Sequence, residues 1–146
     1  MFSKACEYAI RACVQVARIS DDGHHATVKG IAEATGAPEA FTAKVLQQLV
    51  RAGLIESIRG RGGGFMIPPA RSRQLKLLDI VDCIDGDAVF TRCGLGLPHC
   101  SDSRPCPLHN KFADVRGRLR AMLETTSIRT LVDQLGEASA GFKLRS

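Results

Sequence analysis

The 146-residue chain has no run of about 18 apolar residues, the length a helix needs to cross a bilayer. Its opening stretch, MFSKACEYAIRACVQVARI, is interrupted by Lys4, Glu7 and Arg11 and lacks the continuous apolar region of a secretion signal. Both absences lead us to expect a cytoplasmic protein with no membrane partner. The glycine-rich run Gly60-Arg61-Gly62-Gly63-Gly64 lacks the GxGxxG spacing, and no Lys-Ser or Lys-Thr pair follows it, which argues against a nucleotide-phosphate loop. No catalytic residues stand out, and an enzyme is not expected. With 45% hydrophobic and 24% charged residues, the composition is that of one globular domain with a core.

Six cysteines remain to be explained. In a reducing compartment they point to metal binding or redox chemistry rather than to disulfides. Cys6, Cys13 and Cys83 fall in apolar, helix-like stretches, where a buried thiol packs as a small hydrophobe. Cys93, Cys100 and Cys106 instead lie among Gly, Pro, Ser and Asp, with His109 three residues after the last. Thiolates and an imidazole are the donors that iron-sulfur clusters and borderline metals prefer, and four of them within seventeen residues can converge without help from a distant segment. Cys106-Pro107 looks like a helix start, so a Cys106 sulfur and a His109 nitrogen three residues on would face one centre. His99 would point elsewhere, to the surface.

The net charge of +5 is uneven: residues 1–73 carry ten Lys/Arg against six Asp/Glu, the remainder ten against nine. The first half is therefore the better candidate for a polyanion partner, although charge alone favours an ordinary solvated surface. Apolar residues from Cys6 to Ile19 recur at helical spacing up to the turn Ser20-Asp21-Asp22-Gly23. Thr27 then starts a short helix that Gly36 closes, and Pro38 begins a third, with Phe41, Val45, Leu46, Leu49 and Val50 on one face. Two short helices joined by a Gly-containing turn are a helix-turn-helix. The opposite face of the third helix carries Glu39, Ala40, Thr42, Ala43, Lys44, Gln47 and Gln48, small and polar enough to enter a major groove. Leu54–Ile58 and Phe65–Ile67 read as the strands of a hairpin stopped by Pro68-Pro69, a wing whose tip offers Arg59 and Arg61 to a minor groove.

The segments SKACEYAIRA, IRGRGGGF, LLDIVDCIDG and RC-x6-C-x5-CPLH, in this order and spacing, resemble the IscR/NsrR family of bacterial winged-helix regulators over nearly the whole chain. The resemblance implies a homodimer on a palindromic DNA operator, with one iron-sulfur cluster, 2Fe-2S or 4Fe-4S, in each subunit. It places the cluster thiols at Cys93, Cys100 and Cys106. For the fourth ligand it offers His109, as in the IscR-like branch, or Glu7 of the partner subunit, as in the NsrR-like branch. Base contacts map to Ala40, Ala43 and Lys44, and the minor-groove arginine to Arg59; IscR carries an acidic residue where this chain has Ala43.

Phe112, Val115, Leu119, Met122 and Leu123 form an apolar stripe on a long helix, which suits pairing with the same helix of a second subunit, although packing within the chain would also bury it. Residues 127–136 read as a final helix and AGFKLRS as a loose tail. The expected architecture is thus mainly α with a small β-hairpin wing: a winged helix-turn-helix DNA-binding domain over 1–73, a linker helix and cluster-binding loop over 74–108, and a dimerisation helix with tail over 109–146. The function this predicts is a dimeric transcriptional regulator that senses redox state, nitric oxide or iron-sulfur status. The alternatives are a winged-helix regulator with zinc or a thiol/disulfide switch at the same cysteines, or a small iron-sulfur electron-transfer protein.

Overall fold

The structure is a computed structural model that describes residues 1–135; the expected tail AGFKLRS lies outside the described residues. The chain runs α1 (Lys4–Asp21), α2 (Val28–Thr35), α3 (Glu39–Arg51), β1 (Glu56–Ile58), β2 (Gly64–Met66), α4 (Pro69–Gln74), α5 (Leu77–Ile84), α6 (Ala88–Thr91), α7 (His109–Thr125) and α8 (Ile128–Leu135). It is mainly helical, with one two-stranded antiparallel hairpin in which Ser57 pairs with Phe65.

Helix α1 occupies the centre. Ser3 caps it by accepting from the Cys6 amide, one of the first-turn donors left without an intrahelical partner. Its buried residues, Cys6, Ala9, Ala12, Cys13, Val14, Val16 and Ala17, are mostly small and lie on more than one side. Neighbours therefore approach from several directions: α1 packs against α2, α3, α4, α5, α8 and β2. Cys6 and Cys13 are fully buried, as small hydrophobes in a core are, while Cys83 is half-buried against the Gln48 carbonyl.

Thr27 caps α2 through the Gly30 amide, and Gly36 ends it in the left-handed conformation. Pro38 sits at the N-cap of α3, just outside the helix, and Val45, Leu46 and Leu49 bury the inner face. The wing is shorter than Leu54–Ile67: Ile55 is a buried core residue ahead of β1, and β2 also bridges to Ala26. This bridge requires Gly64, whose φ is +146° and whose hypothetical Cβ would lie 2.4 Å from the Ala26 carbonyl oxygen. His25 Nδ1–H donates to the Gly62 carbonyl at 2.9 Å, a second tie between the wing and the segment ahead of α2.

Two features were not visible in the sequence. Pro68-Pro69 stops β2 but also opens the short helix α4. Helix α8 returns to the core of the first half: Ile128 and Val132 are buried there, and Arg129 makes a two-pronged pair with Asp21, at 2.7 and 2.8 Å, while donating to the Ser72 hydroxyl at 2.9 Å.

Two glycine substitutions should act in opposite directions. Gly64→Ala should lower stability by about 1–3 kcal/mol through strain and the clash with Ala26. Gly117 lies inside α7 with nothing within 4 Å of a Cβ, so Gly117→Ala should raise stability by about 0.5–1 kcal/mol. Urea denaturation of both variants checks the pair.

Candidate metal centre and nucleic-acid interface

Beyond α6 the chain leaves regular structure, and the loop it forms is closed by its own sulfur atoms. Cys93, Cys100 and Cys106 bring their Sγ atoms within 4.8 Å of one another, the one such group of metal-ligating side chains among the described residues. Cys93 Sγ lies 3.6 Å from Cys106 Sγ, and Cys100 Sγ accepts from the Cys106 amide at 3.4 Å. The Leu97 and Leu95 amides, aimed at the Cys93 sulfur, pull its thiol down to about 7, since a donor to the anion favours the anion. For Cys100 the Cys106 amide acts in the same sense, but desolvation and the neighbouring sulfurs outweigh it and move the thiol up. Burial drives Cys6 up to about 12 and Cys13 higher still, which leaves both unreactive.

His109 lies beside this group and touches it at one sulfur, that of Cys100, without coming within 4.8 Å of all three thiols. Helix α7 begins at His109, not at Cys106, and a single turn closed by the His109 amide on the Cys106 carbonyl leads into it; His109 Nδ1 lies 3.4 Å from Cys100 Sγ. Its Nε2 meets Asp102 Oδ1 at 2.8 Å. Glu7 sits in the first turn of α1, paired with Lys4 at 3.6 Å. His99 is exposed, as a surface residue should be. Three thiols and an imidazole on one short loop are a donor set that suits iron-sulfur or another thiophilic metal.

The loop is seated on α7. Gly94 lies so close to Phe112 that a Cβ would come within 2.3 Å of the ring, and Arg116 Nη1 donates to the Arg92 carbonyl at 3.3 Å. At the other end of α6, the Ser3 amide and hydroxyl both donate to Asp85, the amide at 2.9 Å, fastening the start of α1 beside the loop. The apolar stripe of α7 is divided. Leu123 is 1% exposed within its own chain's core and Leu119 packs against it, whereas Val115 and Met122 stay 57% and 49% exposed. Leu123 is therefore part of the core and not of a free stripe.

On α3, Ala40, Lys44, Gln47 and Gln48 are exposed and Ala43 is half-buried. Thr42 does not belong to that face: it is 4% exposed, and its hydroxyl donates to the Pro38 carbonyl at 2.9 Å, a back-bond that turns it into the helix. Arg59 and Arg61 stand exposed on the wing turn. The cleft between α3 and the wing is lined by Gln47, Arg51, Ser57, Arg59 and Phe65. Arg51, the last residue of α3, and the wing anchor His25 had escaped sequence reasoning, because only the folding of the wing back onto α3 and onto the segment ahead of α2 brings each of them to the wing.

The sequence profile of the Rrf2 family, described as iron-dependent transcriptional regulators, matches residues 2–134. The chain belongs to the Rrf2 family. This Rrf2 chain is 32% identical to protein aau3 of Rhizobium meliloti over 132 residues, covering 90% of this chain and 82% of that protein. To the HTH-type transcriptional regulator IscR of Photorhabdus laumondii it is 27% identical, covering 86% and 75%. Its fold matches that of CymR, described as the global cysteine regulator of B. subtilis, with TM-score 0.75 at 19% identity and coverage of 92% and 97%. The T. potens IscR structure matches with TM-score 0.74 at 21% identity, covering 94% and 90%. The winged-helix architecture expected from the sequence is thus the one observed, and the chain is a transcriptional regulator.

In metal-free protein the Cys93 thiol, lowered to about 7, gains its thiolate as pH rises through neutrality. Iodoacetamide should therefore label Cys93 first, with a rate that climbs between about pH 6 and 8, while Cys6 and Cys13 stay unlabelled in the folded state. Peptide mass spectrometry across a pH series reads the order.

Proposed function

We propose that this Rrf2 protein is a homodimeric, cytoplasmic DNA-binding regulator. In this reading it senses redox state, nitric oxide or iron-sulfur supply through one iron-sulfur cluster per subunit, 2Fe-2S or 4Fe-4S. The observation that carries the proposal is the gathering of three thiols within 4.8 Å on a loop attached to a winged helix-turn-helix. Cys93, Cys100, Cys106 and His109 would hold the cluster, with Glu7 of a second copy as the other candidate for the fourth position. When bound, the cluster supplies a centre whose ligands and charge respond to small oxidants, nitric oxide and iron shortage.

The chain's own residues carry that response outward. A change in how the four side chains are held shifts Gly94 against Phe112 and the Arg92 carbonyl against Arg116, and so the seat of α7. Exposed Val115 and Met122 make α7 the natural seam for a second copy. Two half-sites about 34 Å apart must be met together, so a small rotation at that seam alters DNA affinity. Ala40, Ala43, Lys44 and Gln47 face the major groove in this reading, and Arg59 and Arg61 reach the minor groove, with Arg51 close behind them.

One observation favours a second reading. Two thiolates on a single tetrahedral ion with bonds of about 2.3 Å lie about 3.8 Å apart, close to the 3.6 Å between Cys93 and Cys106. Zinc or a thiol switch would fit that spacing, and colour separates the two because zinc is spectroscopically silent.

The test uses full-length protein purified without oxygen and a duplex selected from a random pool. Visible absorption with bound iron and sulfide is expected, and Cys100→Ala should bleach it. Arg59→Ala should weaken DNA binding roughly tenfold and reduce the salt slope by about one. Colourless, iron-free protein would refute the cluster, and an unchanged salt slope would refute the wing contact.

A further inference from the structure

The side chain that controls His109 is on the same loop but outside the thiol group. Ser101 and Arg104 exchange backbone hydrogen bonds at 3.2 and 3.1 Å, and the Ser101 and Ser103 hydroxyls meet at 2.9 Å. This tight turn presents Asp102, whose Oδ1 lies 2.8 Å from His109 Nε2, while His109 Nδ1 lies 3.4 Å from Cys100 Sγ. The imidazole is 13% exposed and the carboxylate is open to solvent. The His109 amide donates to the Cys106 carbonyl at 3.0 Å, which fixes the backbone from which the ring swings.

We propose that Asp102 is a positioning residue that holds His109 in the tautomer protonated at Nε2, so that His109 enters the metal centre through Nδ1. The inference rests on the reading of the loop as a metal centre. An ionised carboxylate only accepts, so the nitrogen facing it must carry the proton. A neutral imidazole has one N–H, and the remaining lone pair is then on Nδ1, the nitrogen that faces the Cys100 sulfur. A histidine whose second nitrogen is hydrogen-bonded to a carboxylate is also a better-oriented and more basic ligand. Sequence spacing hides the role, because Asp102 and His109 are seven residues apart across an irregular loop.

The test has a metal-free arm and a metal-loaded arm on the full chain, comparing the parent protein with Asp102→Asn, Asp102→Ala and His109→Ala. In metal-free protein, long-range nitrogen–proton NMR should show His109 protonated at Nε2 in the parent. The same tautomer should persist in Asp102→Asn, whose amide oxygen still accepts, and give way to a mixture in Asp102→Ala. In anaerobic, metal-loaded protein, histidine labelled with 15N at Nδ1 should give a hyperfine coupling to the reduced centre, absent from His109→Ala. Asp102→Ala should lose iron to a chelator roughly tenfold faster than the parent, and Asp102→Asn should restore most of that resistance. An Nε2 coupling in the parent would overturn the inference, as would an Asp102→Ala variant with the parent's tautomer and chelator resistance. Iron bound without any histidine coupling overturns this inference alone. A parent protein that takes up no metal overturns the proposed function, while the NMR arm still decides the role of Asp102.

Discussion

The packing around α1 is the constraint on which the rest of the molecule depends. A central helix lined with alanine, cysteine and valine lets its neighbours come close on several sides at once, and interiors packed at that density transmit displacement instead of absorbing it. The helix-turn-helix and wing, formed by α2, α3 and the hairpin, and the helix α5 that leads toward the thiol loop are both built on this one helix, while α6 packs on α7. The Ser3–Asp85 hydrogen bonds tie its first turn to the end of α5, and Arg129 ties its last turn to α8. In the proposed function, this rigid helix lies between the sensing loop and the DNA-reading face.

The loop has the opposite character. From Cys93 to Cys106 it has no helix or strand, and the leucines at 95 and 97 are exposed, so little apolar burial holds it. What orders it are sulfur contacts, amide donors to sulfur, the Ser101–Arg104 turn and the seat of Gly94 on Phe112. Bonds to a metal would exceed these weak ties severalfold in strength, so metal binding and loop conformation are coupled in both directions. In the proposed function, that coupling is how a small inorganic centre would influence α7.

Much of this was legible in the chain because the signals were local. Thr27, Gly36 and Gly53 mark helix ends by side-chain capping and left-handed backbone, the glycine run marks the wing turn, and three cysteines in a polar stretch mark the loop. The remainder depended on contacts that no local pattern encodes. Thr42 is the exception to that rule: it stands three, four and seven residues before Val45, Leu46 and Leu49, so helical spacing itself puts it on the buried face, and only its polar side chain suggested the other one. Helical spacing put Cys106 and His109 toward one centre but could not name the sulfur nearest the ring, which is that of Cys100, because the path of the irregular loop decides it. The division of the α7 stripe follows from where α5 lies, and the burial of α8 from Arg129 reaching Asp21 across 108 residues of sequence.

X-ray absorption at the iron edge on anaerobically prepared, full-length protein addresses the central claim most directly. The account predicts iron in a shell dominated by sulfur, with a short iron–iron distance that only a cluster produces, and loss of that pattern when Cys93, Cys100 and Cys106 are replaced together. Iron surrounded by oxygen and nitrogen, a single ion with no iron neighbour, or zinc in place of iron would contradict it.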